Sequence, residues 1–133
     1  MKVVIDTNVL VSSLSRKSQY HWLIMLILAE KIDVFITNQI MLEYEEILSQ
    51  KYTASVANNF IASLKELPNV HFTHVYFNWK LLADEDDNKF VDCSIAANAD
   101  YLITNDNDFN ILKQIGFPKI NIVSLNEFKE VQV

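Results

Sequence analysis

The sequence predicts an α/β domain in which helices cover both faces of a parallel sheet. Short apolar runs alternate with helical patterns along the whole chain, which is typical of this class. The length of 133 residues fits one domain with one core. Half of the residues are hydrophobic and 21% are charged, the balance of a folded globular chain. Residues 1–133 are therefore expected to form a single domain.

Five runs are predicted to be strands. They are short, rich in β-branched and aromatic residues and bounded by polar or turn-forming residues, as expected of buried strands in a parallel sheet. In chain order they cover residues 2–5, 33–36, 70–77, 101–104 and 120–123.

The segments between the strands carry helical patterns. Residues 20–29 are apolar on all sides and predict a fully buried helix. Thr37 and Asn38 supply capping side chains for the clearest helix, in which apolar residues recur at helical spacing from residue 40 to 48. Thr53 is expected to cap the next helix. Further helices are expected directly after the acidic run 84–87, over residues 109–115 and over residues 125–130.

Composition excludes several classes of site. Gly116 is the only glycine, which excludes the glycine-rich loops that bind nucleotide phosphates. Cys93 is the only cysteine, which excludes an internal disulfide or a multi-thiolate zinc site and favours a reducing compartment. Asp6 interrupts the first apolar run, so no secretory signal is expected, and no run reaches the ~20 residues that span a bilayer. We expect a soluble cytoplasmic protein without a membrane partner.

The formal net charge is −6, which disfavours binding of nucleic acid through a broad basic surface. Binding of a nucleic acid would therefore require positive charge at the binding site itself. A divalent cation held by clustered carboxylates provides it.

Several carboxylates follow predicted strands, where the ligand crevice of an open α/β sheet lies. Asp6 directly follows the first strand, and Asp106 and Asp108 follow the fourth. Asp87 opens the helix that leads into the fourth strand. Each alone is typical of a helix cap or a solvated charge. Together at one edge they would repel one another unless a cation lies between them, which indicates a functional site.

Helical geometry ranks further acids. Glu46 points away from the apolar stripe of its helix, whereas Glu43 and Glu45 flank it, and Glu43 lies nearer to the helix start. Glu43 is therefore preferred. Asp87 and Asp92 are about 140° apart on a helix and cannot both face one ion. Asp87 is favoured because it lies at the positive end of its helix, and the choice stays open.

The chain resembles PIN-domain nucleases. Residues 3–10 (VVIDTNVL) resemble the opening motif of that family. Residues 84–90 (DEDDNKF) and 99–109 (ADYLITNDNDF) are similar to the subgroup that contains toxin components of toxin-antitoxin systems. Residues 122–128 (IVSLNEF) are similar to the tail of that subgroup.

The resemblance implies a three-layer fold with a parallel five-stranded sheet of order 3-2-1-4-5, and Mg²⁺ or Mn²⁺ held by acids at the strand ends. Asp108 is expected to assist as a ligand. Asp86 and Asp92 are alternatives for the third acid of the family. By position, the four family acids fall on Asp6, Glu43, Asp87 and Asp106.

The implied activity is hydrolysis of RNA by a divalent-metal-dependent endoribonuclease that serves as the toxin of a toxin-antitoxin pair. Hard cations held by carboxylates activate water and neutralise the leaving oxygen. Asp6 and Asp106 are expected to hold the principal ion, Asp87 to complete or support a second, and Glu43 to orient the attacking water. RNA, an antitoxin protein and a second copy of the chain are the expected partners.

Asn8 and Thr104 are polar neighbours of Asp6 and Asp106 and are expected to support them. Asn8 also disfavours aspartyl-phosphate chemistry, because phosphatases of that kind have an acid two positions after the nucleophile. The remaining alternative is a non-catalytic cation-binding or protein-interaction module on the same fold. Metal-dependent RNA cleavage separates it from a nuclease.

Overall fold

Five parallel strands form one sheet in the computed structural model, which describes residues 1–132. Their order across the sheet is β3-β2-β1-β4-β5, and each pair of neighbours is parallel. The predicted fold class and strand order are therefore confirmed. The strands are β1 (Lys2–Ile5), β2 (Asp33–Ile36), β3 (Val70–Phe72), β4 (Tyr101–Ile103) and β5 (Ile122–Val123).

The position of β1 sets the position of the site. β1 lies at the centre of the sheet, and residues 3–5 are fully buried because helices cover both faces. Its last residue, Ile5, is paired with Ile103, the last residue of β4. Asp6 and Thr104, which follow these two residues, therefore emerge side by side at the carboxyl edge of the sheet.

Residues 1–132 also form six α-helices and one 3₁₀ helix. Thr37 and Thr53 cap the third and fourth helices as predicted, since each hydroxyl accepts a hydrogen bond from a backbone N–H at 3.2 and 3.1 Å. None of these helices has the length and apolar character needed to span a bilayer. They are α1 (Thr7–Ser13), α2 (His21–Leu28), α3 (Asn38–Lys51), α4 (Ala54–Glu66), α5 (Glu85–Ala97), the 3₁₀ helix Asn107–Gln114 and α6 (Leu125–Val131).

No helix was predicted for the residues of α1. The segment carries β-branched residues, which are weak helix formers, and shows no clear helical period. Val9, Leu10 and Val11 are nevertheless buried against the core. Tertiary packing therefore overrides the local preference at this point, and the helix begins at Thr7, with Asp6 at its N-cap position.

The predicted strand over residues 70–77 ends early, at Phe72. β3 is an edge strand that pairs only with β2, and the last pair in the ladder joins Ile36 to Phe72. Thr73 N–H still donates to Ile36 O at 2.7 Å, after which β2 offers no further partner. Residues 73–80 consequently have no regular structure and run toward the start of α5.

The prediction of a fully buried α2 is also wrong. Leu23, Ile24 and Ile27 face the core, whereas Met25 and Leu28 are 54% and 46% exposed. α2 belongs to an outer layer of the domain and presents only one face to the core. Some apolar side chains of α2 therefore lie on its outer face and are exposed to solvent.

Candidate metal and active site

Three carboxylates come together at the carboxyl edge of the sheet. Asp87 lies in the first turn of α5, and Asp106 and Asp108 lie at the start of the 3₁₀ helix that follows β4. One carboxylate oxygen of each lies within 4.8 Å of one from both of the others. We call these three residues the acid cluster. Its all-oxygen donor set suits hard divalent cations such as Mg²⁺ and Mn²⁺.

Local hydrogen bonds orient the part of the acid cluster that follows β4. Asp106 occupies the N-cap position of the 3₁₀ helix, and its Oδ1 accepts a hydrogen bond from Asp108 N–H at 2.9 Å. Asp106 N–H in turn donates to Thr104 Oγ1 at 3.1 Å. The cap fixes the direction of the Asp106 carboxylate and engages one of its two oxygens.

Asp6 lies behind the acid cluster and is only 7% exposed. It occupies the N-cap position of α1 without making a side-chain cap hydrogen bond. Instead, its Oδ2 accepts a hydrogen bond from Thr104 Oγ1 at 2.7 Å. Burial raises the pKa of Asp6, and the charges of Glu43 and Asp106 add to this effect, whereas the Thr104 hydrogen bond opposes it. Asp6 is therefore electrostatically coupled to the site, although it is not a member of the acid cluster.

Mutual repulsion is clearest at Asp87. Its pKa is raised to about 6, first by desolvation and then by the charges of four other aspartates: Asp84, Asp6, Asp106 and Asp108. The three acids predicted after strands, Asp6, Asp106 and Asp108, thus all act on Asp87. A cation between them would relieve this repulsion.

Glu43 is held differently. Its Oε1 accepts a hydrogen bond from Lys89 Nζ at 2.8 Å, and its Oε2 accepts one from Thr7 Oγ1. Lys89 and Glu43 form an ion pair in which the side chains are 13% and 27% exposed. Glu46, which was predicted to face solvent, is exposed. Glu43 therefore faces α1 and α5.

The two alternatives for the third acid lie elsewhere. Asp92 is buried, and its Oδ1 accepts a hydrogen bond from Trp79 N–H at 3.1 Å, so it anchors the irregular segment before α5. Asp86 is exposed, and its backbone carbonyl accepts a hydrogen bond from Lys89 Nζ at 2.7 Å. Within residues 1–132, Asp87 is the acid of α5 that the structure groups with Asp106.

The predicted supporting residues differ in their surroundings. Thr104 bridges Asp6 and the backbone of Asp106, whereas Asn8 lies exposed in the first turn of α1. The residues that contact Glu43, namely Thr7 and Lys89, were not predicted. Thr7 adjoins Asp6 in the sequence and could have been suspected for that reason. Lys89 lies within the motif of residues 84–90, but nothing in the sequence pairs it with Glu43, which is 46 residues away along the chain.

Comparison with known families decides the classification. Residues 2–108 match the family model described as the PIN domain. The chain belongs to the PIN-domain family. In this PIN domain the matched region contains every candidate acid, from Asp6 to Asp108.

Two solved structures share the fold of this PIN domain. A chain of VapBC2 from Rickettsia felis, solved with a DNA fragment from its promoter, aligns with a TM-score of 0.63 and 15% identity over 93% of this chain and 98% of that one. VapC20 of Mycobacterium tuberculosis, a toxin that cleaves the sarcin-ricin loop, aligns with a TM-score of 0.61 and 16% identity over 82% of this chain and 93% of that one. At such identities the likeness is one of fold. No curated protein matches the chain.

Proposed function

We propose that this PIN domain is a divalent-metal-dependent endoribonuclease. The observation that carries the proposal is the convergence of the acid cluster without a neutralising cation from the chain. Within residues 1–132 the two ion pairs join Lys89 to Glu43 and His71 to Asp33, and neither involves Asp6 or the acid cluster. Membership of a family of nucleases supports the same conclusion.

The proposed roles follow from the contacts. Asp87, Asp106 and Asp108 would hold Mg²⁺ or Mn²⁺, with Asp6 as the buried fourth acid that Thr104 orients. When bound, such an ion supplies a water that is nucleophilic at neutral pH and neutralises charge on the leaving oxygen.

Glu43 is proposed to orient the attacking water. A carboxylate offers about four lone-pair positions, and Thr7 and Lys89 take one on each oxygen. The remaining positions can accept a hydrogen bond from water, and Glu43 is exposed enough to be reached. Its fixed orientation makes it suited to positioning rather than to mobile coordination.

The direct test is cleavage of a labelled single-stranded RNA by the purified protein with Mg²⁺, with Mn²⁺ and with EDTA. Cleavage should require the divalent ion and should be lost in Asp106→Asn. Asp100→Asn is the matched control, because Asp100 contacts Lys2 N at the opposite edge of the sheet. If ions stabilise the fold but no RNA is cut under any condition, the chain is a cation-binding module and not a nuclease.

We further propose that the nuclease acts as the toxin of a toxin-antitoxin pair. The fold likeness to VapC20, which is a toxin, and to VapBC2 supports this role. Induced expression should arrest bacterial growth, Asp106→Asn should not, and co-expression of the adjacent gene should restore growth. A homodimer stays a prediction, which the molar mass in solution measures.

A further inference from the structure

The geometry points to Lys89 as a positioning residue of the proposed active site, one that fixes the Glu43 carboxylate and keeps it out of the metal's ligand set. This inference rests on the proposed function. It concerns a lysine to which the sequence alone assigns no role. Its basis is the set of contacts that join α3 to α5 beside the acid cluster.

Lys89 is held firmly at its charged end. Nζ donates to Glu43 Oε1 at 2.8 Å and to Asp86 O at 2.7 Å, which are acceptors from two different helices. Nζ also lies 5.2 Å from the ring centroid of Phe90, within the range of a cation–π contact. The side chain is only 13% exposed, so solvent screens the ion pair little. The ammonium group is therefore a fixed part of the crevice.

The same contacts immobilise Glu43. Lys89 binds one carboxylate oxygen and Thr7 binds the other, so the group cannot rotate without losing a hydrogen bond. Both donors lie close to candidate acids in the sequence, since Thr7 directly follows Asp6 and Lys89 follows Asp87 by two residues. Glu43 is thus tied to the two segments that supply the other acids.

Charge explains why a lysine is needed here. The charge of Glu43 raises the pKa of Asp6, which shows that this carboxylate lies close enough to join the repulsion. A glutamate without such a partner would be free to turn toward a cation held beside Asp6. Pairing with Lys89 neutralises Glu43 and holds it in place, so that it can face water instead of metal.

The pair remains accessible to substrate. Glu43 and Lys89 both line a groove of about 820 Å³ between α3, α5 and the irregular segment that contains Asn78 and Lys80. Two of its lining residues, Asp86 and Asn88, flank Asp87 in the sequence.

The test compares Lys89→Met and Lys89→Arg with wild type in steady-state RNA cleavage. Lys89→Met should lower kcat by about 10- to 100-fold, the usual cost of losing a positioning partner, with KM changed less than ~3-fold. Lys89→Arg should recover most of kcat, because a guanidinium also donates to a carboxylate. Lys65→Met, an exposed lysine at the end of α4, is the control.

Metal binding gives a readout that is independent of cleavage. Calorimetric titration with Mn²⁺ should show an affinity for Lys89→Met equal to or tighter than that of wild type, because the freed Glu43 can join the ligands. A loss of Mn²⁺ affinity would overturn the inference. So would a normal kcat in the folded variant, which would leave Lys89 with a structural role, or a rise in KM alone, which would make it an RNA contact.

A double-mutant cycle keeps this inference separate from the proposed function. Unfolding of Lys89→Met, Glu43→Gln and the double variant is measured in EDTA, where no metal or RNA takes part. The two single changes should be strongly non-additive if the pair forms. Additive changes would overturn the inference. An intact pair in a protein that cuts no RNA would instead refute the proposed function.

Discussion

The acid cluster and Glu43 lie at the same edge of the sheet, but their charges are balanced in different ways. Glu43 receives a cation from the chain itself, Lys89, at 2.8 Å. The acid cluster has no such partner within residues 1–132, and the pKa of Asp87 is raised to about 6 as a result of desolvation and neighbouring charges. The charge of Glu43 is thus neutralised within the folded chain, whereas no ion pair of residues 1–132 neutralises the acid cluster, which is where we propose that a divalent cation binds.

This difference also bears on stability. Like charges held together destabilise the fold, and such repulsion is retained mainly where it serves a function. Glu43, whose charge is neutralised by Lys89, contributes little to this destabilisation. The proposed metal site would therefore account for the repulsion that the acid cluster retains.

The largest effect is expected from a substitution of Asp6. Asp6→Asn should abolish metal-dependent cleavage, because it removes the buried charge behind the acid cluster. The melting temperature should be unchanged or higher, since an asparagine oxygen can still accept the Thr104 hydrogen bond while the repulsion is relieved. Cleavage assays and thermal melts on the same sample measure both. Full activity of the purified variant would remove Asp6 from the site.

Substitutions of two acids of α5, Asp87 and Asp92, should have different effects. Asp87→Ala should lose activity on the scale of a lost metal ligand and should be partly rescued by Mn²⁺, which has a higher intrinsic affinity than Mg²⁺. Asp92→Ala should keep its metal response but lose about 1–3 kcal/mol of stability, because Trp79 N–H loses its buried acceptor. Activity against Mn²⁺ concentration and chemical denaturation separate the two effects. The assignment fails if Asp92→Ala is inactive while Asp87→Ala cleaves normally.

Binding of a divalent cation should stabilise the protein. At about 100 times the dissociation constant, Mg²⁺ or Mn²⁺ should add ~2.7 kcal/mol by binding only the folded state, which raises the melting temperature by several degrees. Ca²⁺ should stabilise without supporting cleavage, because its looser coordination positions water poorly. Differential scanning fluorimetry measures the shift. An unchanged melting temperature at millimolar concentrations of all three ions would contradict the site.

The smallest expected effect is a pH dependence of the metal-free protein. The pKa of Asp87 is raised from 3.8 to about 6, so the folded state binds this proton more tightly than the unfolded chain. Its contribution to stability is complete below pH 3.8 and is lost as the pH rises through about 6. Asp87→Asn should flatten the melting temperature over this range in EDTA. A slope of the same size in the variant would assign the effect to another group.

Strand bounds were predictable where the local sequence pattern and the length of the neighbouring strand give the same limits. Residues 2–5 and 33–36 were predicted as strands and form β1 and β2 with those bounds. Residues 70–77 were not predicted correctly, because the length of an edge strand depends on where its neighbour ends. α1 was missed since its packing against the core, and not its helix propensity, stabilises it.

The site divides in the same way. Asp6, Asp106 and Asp108 were singled out because a residue that follows a strand in a parallel sheet must lie at its carboxyl edge, and a strand is a local feature of the sequence. Helical period also separated Glu43 from Glu46, as a rotation of about 100° per residue is the same in every helix. These inferences need no knowledge of the neighbouring elements.

The charge balance of the crevice, in contrast, was decided by the tertiary structure alone. Whether Asp87 or Asp92 meets Asp106 depends on the angle at which α5 crosses the sheet. That angle cannot be predicted from the sequence of α5 alone. The contact of Lys89 with Glu43 spans 46 residues and requires α3 and α5 to approach within one hydrogen bond. The energy of an electrostatic interaction depends on the distance between the charges in space. Charged residues that are far apart in the sequence come close to one another only when the core of the domain packs.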